Sequence, residues 1–178
     1  MRGAIRTAGT APALAVALAL ALAGCSSDTP EPTAADAAGV SWSPCDDLTA
    51  KQVGAIAGQP VRENNGTEDA PRCVFLPVEK GGPAYDVSYL FFDGGLDTAL
   101  DAMGTVAEQL EPVDVPGAEA ARIAVRERKD GILVTGFVQT EGLVQSVNAV
   151  QLDGFDRDRL VTSTTALLTE LARLAPRG

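Results

Sequence analysis

Three stretches of β-type residues, about 121–127, 132–139 and 143–151, follow one another with short connections around Lys129-Asp130-Gly131 and Glu141-Gly142 between them. Connections that short join antiparallel neighbours, because a parallel pair needs a crossover of a dozen or more residues. This part of the chain is therefore committed to an antiparallel sheet. Upstream, Tyr85, Val87, Tyr89 and Phe91 alternate with Asp86 and Ser88, the period-two pattern of a half-buried strand. Residues 73–78 read as a strand before it, with Gly81-Gly82-Pro83 turning the chain between the two.

Such a sheet needs its apolar face covered, and three helices are spaced to do so. Thr49 fits an N-cap with Gln52 closing a capping box, Leu48 and Val53 stand where a hydrophobic staple would, and Gly58 and Pro60 end the helix. The next stretch, 59–72, is polar, with Asn64-Asn65-Gly66 as turn chemistry. Asp93 can cap a second helix carrying Leu96, Ala99, Leu100, Met103, Val106, Ala107 and Leu110, with Pro112 as its stop. Asp156, between Phe155 and Leu160, caps the last helix, which puts Leu160, Leu167, Leu168, Leu171 and Leu174 on one side. The order predicts a single α+β domain over 41–178, a mainly antiparallel sheet of about five strands with about three helices packed on it.

The N-terminus has another character. Arg2 and Arg6 precede an apolar run over 11–23, followed by small residues, the pattern of a secretory signal. The run is roughly 13 residues, against about 20 for a spanning helix. Leu22-Ala23-Gly24-Cys25 resembles the bacterial lipobox, which implies diacylglycerol on the Cys25 thiol and cleavage just before it. The expected organisation is a signal peptide over 1–24, a flexible tether over 25–40 and the domain beyond. The tether reads SSDTPEPTAADAAG after the cysteine, small and polar with no apolar periodicity. An ordinary signal peptide with a chance cysteine is the competing reading. Two acyl chains hold a protein at a membrane where one only lingers.

The whole chain carries a net charge of −10, and residues 1–24 contain Arg2 and Arg6 but no acid, so the processed chain stands at −12. Nucleic acid is an unsuitable partner for that surface, and so is flat electrostatic docking on anionic lipid. There is no histidine. That removes the commonest general base, the commonest metal ligand and the usual partner of a catalytic serine.

With Cys25 acylated, Cys45 and Cys73 remain. An even pair in an exported chain reads as a disulfide. A metal site would need more thiolates in a chain without histidine, and a redox pair would ordinarily take close Cys-x-x-Cys spacing.

Pro44-Cys45-Asp46-Asp47-Leu48-Thr49, Cys73 ahead of a strand, Val115-Pro116-Gly117 with Ala120-Ala121, and a Leu-rich final helix, all behind a lipobox, resemble a group of actinomycete cell-envelope lipoproteins. These share a domain of unknown function with a Pro-Cys-x-x-Leu-Thr start and a second cysteine before a strand. The resemblance covers roughly residues 42–174. The family often places Trp two residues after the second cysteine, where this chain has Phe75. The resemblance implies a lipid-anchored protein on the outer face of the cell membrane with a disulfide, and it carries no catalytic residue across. It is compatible with the sheet-and-helix fold of photosystem accessory and Ran-binding proteins.

The remaining chemistry is sparse. Asp46-Asp47 and the group Asp153, Asp156 and Asp158 lack calcium-loop spacing and read as acids at helix N-termini. Thr162-Ser163-Thr164-Thr165 is a hydroxyl run without a histidine or a Ser-x-x-Lys motif to activate it. No metal and no cofactor is expected. Trp42, Tyr85, Tyr89, Phe91 and Phe92 form an aromatic set that is either core or the lining of a groove for an apolar ligand. The reading is a non-enzymatic binding module for an envelope partner, the alternative a carrier or sensor of a lipid or small apolar ligand in a sheet/helix groove.

Overall fold

Pairing in the computed structural model is antiparallel throughout a seven-stranded sheet, β1 (Val61–Thr67), β2 (Ala70–Pro77), β3 (Ala84–Phe91), β4 (Glu111–Pro112), β5 (Ala120–Arg128), β6 (Gly131–Thr140) and β7 (Leu143–Gln151). Their order across the sheet is β1-β2-β3-β7-β6-β5-β4. Four helices accompany it: α1 (Pro44–Asp47), α2 (Ala50–Ala57), α3 (Gly95–Ala102) and α4 (Arg157–Leu174). The structure describes residues 42–67, 70–104 and 109–176. The expected signal peptide and tether, and Cys25 with them, lie outside the described residues.

Hairpin logic accounts for the centre of the sheet. Glu141 and Gly142 both take positive φ, 38° and 75°, the two-residue turn whose twist matches paired strands, and β6 and β7 pair from Thr140–Leu143 to Ile132–Gln151. After β3 the chain crosses to the far edge through α3 and returns by β4, β5 and β6. β7 therefore slots in beside β3.

The two faces differ. On the first, Phe75, Tyr85, Val87, Val134, Val138, Val147 and Ala149 are buried against Leu160, Leu167, Leu168 and Leu171 of α4, with Leu48 and Val53 closing the same core. Gly136 of β6 lets α4 approach: a Cβ there would stand 2.8 Å from Leu168 Cδ1 and 3.3 Å from Thr164 Cγ2. On the second face, α3 covers only one end, where Leu96 and Leu100 pack on Phe137 and Val144.

The disulfide joins Cys45 of α1 to Cys73 of β2 across 28 residues, with Cα atoms 5.2 Å apart. The capping expectations hold for two helices. Thr49 and Gln52 form the box at α2, Gly58 ends that helix in the left-handed region, and Asp156 accepts from the Arg159 amide at α4. Ser43 and Asp46 form a further capping box at the short α1.

Five expectations are corrected. The strand number is seven rather than about five, and both additions are edges. β1 occupies the stretch read as polar loop, and Asn64-Asn65-Gly66 lies within it at a register shift. An edge strand is held by backbone bonds to one neighbour, so it needs no apolar alternation, and among the strand's described side chains only Val61 is buried. β4 contains Pro112, expected to stop a helix, paired with Arg122. The second helix ends at Ala102, short of Leu110, with Val106 and Ala107 of its expected stripe outside the described residues, and Asp93 does not cap it. Its N-cap is Gly94, and Gln139 Oε1 from β6 accepts the Leu96 amide at 2.6 Å.

Candidate functional site

The structure splits the aromatic set. Tyr85 belongs to the core, 1% exposed, with its hydroxyl 2.9 Å from Ser163 Oγ on α4. Ser163 Oγ itself donates to the Leu160 carbonyl at 3.0 Å, so its single proton is committed and the Tyr85 hydroxyl donates to it. Burial pushes the Tyr85 phenol up from 10.0, partly offset by the charge of Arg159. The raised folded-state value makes its contribution full below pH 10 and lost as pH rises from there through the folded value. Tyr85→Phe is expected to cost about 0.5–1.5 kcal/mol at neutral pH. It should also remove part of the alkaline loss of stability. Urea titrations at pH 7 and above pH 10 check both, and an unchanged alkaline slope would refute the assignment.

Trp42, Tyr89 and Phe91 do come together. Tyr89 lies edge-on to both, with ring centroids 5.9 Å apart in each pair. The row starts at the first described residue and runs along the first face at the end of β3. Trp42 Nε1 donates to Asp47 at 3.2 Å, and Phe91 is 46% exposed. Phe92 lies beyond β3, with its ring over Gly94 and its amide bonded to the Gly142 carbonyl at 2.7 Å.

The acids stand at helix ends except Asp153, which lies in the bend before α4. Asp46 accepts the Ser43 amide, Asp156 the Arg159 amide, and Asp158 pairs with Arg157 at 3.5 Å. In the hydroxyl run, Ser163 and Thr164 donate to the Leu160 carbonyl and Thr165 to that of Val161. Among the described residues no group of three or more Cys, Asp or Glu could hold a metal ion.

The second face carries a feature that the sequence reading missed. Away from α3 two cross-strand rows lie open: Arg126, Leu133 and Val150, then Ala124, Thr135 and Asn148. One hollow of about 220 Å³ lies against the first row and reaches Arg128, Asp130 and Leu152 at the hairpin end. A second, about 250 Å³, lies over the second row and reaches Phe137. They share Arg126 and Leu133 and so form one trough. Its floor is mostly apolar, with Leu152 66% and Val150 37% exposed, and Leu90, 51% exposed, stands further along the same face. Thr135 and Asn148 satisfy each other at 2.9 Å. The usable signal was the spacing of Arg122, Arg126 and Arg128, which period-two alternation puts on one face of β5.

No protein-family model matches the chain, and no curated protein matches it. Among solved structures, a crystal structure of a Bacteroides thetaiotaomicron protein is similar at a TM-score of 0.41 and 8% identity, over 60% of this chain. The chain spans 40% of that protein's length.

Proposed function

We propose that this protein is a lipid-anchored, non-enzymatic binding module of the cell envelope. The lipobox ending at Cys25 supports the anchor, and the half of the second sheet face that no described residue covers is the observation that carries the binding role. An antiparallel sheet commonly leaves one face to water, and that face then carries polar residues. Here it keeps Leu90, Val150 and Leu152 in contact with solvent. In cells, a photo-crosslinking residue at position 150 is expected to give one discrete heavier species, and one at exposed position 173 on α4 none. The same smear from both positions would sink the reading.

The anchor has its own test. Cys25→Ser is expected to move the processed protein from the membrane pellet to the soluble extracytoplasmic fraction. A processed variant that still pellets would refute lipidation. The second reading, a carrier or sensor of a lipid or small apolar ligand, is favoured by the trough. Its site is then the second face rather than the aromatic set named from sequence.

A further inference from the structure

We propose that the trough binds a single-chain anionic amphiphile, with a long-chain carboxylate as the chemistry it fits best. The inference rests on the ligand-binding reading above and gives it a ligand class and residues.

Charge is the first argument. The chain is strongly acidic, yet Arg126 and Arg128 flank a mostly apolar floor with Asp130 as the lone acid among the described residues lining the trough. Neither guanidinium is in an ion pair among the described residues, whereas Arg122, two residues before Ala124 on the same face, is held by Asp97 at 3.0 Å. Arg126 is oriented without being neutralised. Its Nε donates to the uncharged Gln109 Oε1 at 2.9 Å, which leaves the two terminal nitrogens of the fork uncommitted among the described residues. A planar guanidinium held this way is preorganised for two parallel bonds to a carboxylate.

Shape is the second argument. The floor beneath the arginines is Leu133, Val150 and Leu152, and it continues across Ala124 and the mutually bonded Thr135 and Asn148 to Phe137. A charged rim at one border and a mostly apolar floor, whose polar pair Thr135 and Asn148 is already bonded to itself, match a molecule with one anionic head and one alkyl tail. The two hollows, about 220 and 250 Å³, come together at the low end of the roughly 300–1,000 Å³ of small-molecule sites. That suits one chain better than the two of a phospholipid.

The test uses the processed chain from residue 25 with Cys25→Ser, so that its own lipid is absent. Palmitate, hexadecanol and hexadecyltrimethylammonium are each titrated below their aggregation concentrations, with bound mass read by native mass spectrometry. One palmitate is expected per chain, with the cationic analogue not retained. Arg126→Gln with Arg128→Gln should weaken palmitate by about tenfold or more, while Arg126→Lys with Arg128→Lys restores part of the loss. Lys51→Gln with Arg157→Gln, on the other side of the molecule, should change nothing, and an unchanged melting temperature shows that each variant folds. If hexadecanol binds as tightly as palmitate and the arginine variants have no effect, the anionic inference is wrong and the apolar-ligand reading stands. If none of the three binds, both fall.

Discussion

Leu168→Ala is expected to lower the stability of the domain by about 2–5 kcal/mol, the range for removing a fully buried leucine from a packed core. Leu168 is 0% exposed, and its Cδ1 occupies the space left by the missing side chain of Gly136. The sheet backbone cannot collapse into the vacated volume, because β6 is paired on both sides, to β5 and to β7. The cost should therefore fall in the upper part of that range. Urea unfolding followed by circular dichroism reads it as a lower midpoint at unchanged slope. Gly136→Ala approaches the same contact from the other side, since the added methyl meets Leu168 and Thr164 on α4. A cost below 1 kcal/mol for Leu168→Ala would mean that α4 does not lie on β6 in this register.

Removing the disulfide by Cys45→Ala with Cys73→Ala is expected to cost about 3.5 kcal/mol, from the closure of a 28-residue loop in the chain-entropy account. The melting temperature should fall on the order of 10 °C. The bond ties the short α1 to β2, and α1 is too brief to persist alone. Its loss should loosen the Trp42 contact with Tyr89 below the main transition. Trp42 is the only tryptophan in the chain, so a red shift in emission reports it directly. Reductant added to the native protein should reproduce the double variant and leave that variant unchanged. A variant as stable as the native protein would overturn this account.

Much of the fold was legible because it is local. Thr49 with Gln52 and Asp156 with the Arg159 amide are caps written within four residues, and the β6–β7 turn is written in two. The β3 alternation held at Tyr85 and Val87, both 1% exposed, and failed at Phe91, 46% exposed. The aromatic set was half legible in the same way. Alternation placed Tyr85 and Tyr89 on one face, and what covers each is set elsewhere in the chain.

The sequence by itself determined the antiparallel sheet, the capped helix starts and the buried side of α4, because turns, caps and helical periodicity act between near neighbours. It also carried the paired cysteines, whose bond the structure closes. Only the tertiary structure decided the two edge strands, the Gln139 cap on α3 and the place of the open surface. Those depend on partners tens of residues away: β2 supplies the backbone bonds that hold polar β1, and β6 supplies the acceptor that Asp93 was expected to provide. Among the described residues the trough is open because α3 spans only 95–102 and reaches only one end of the second face. No pattern within β5, β6 or β7 records how much of that face a helix elsewhere in the chain will cover.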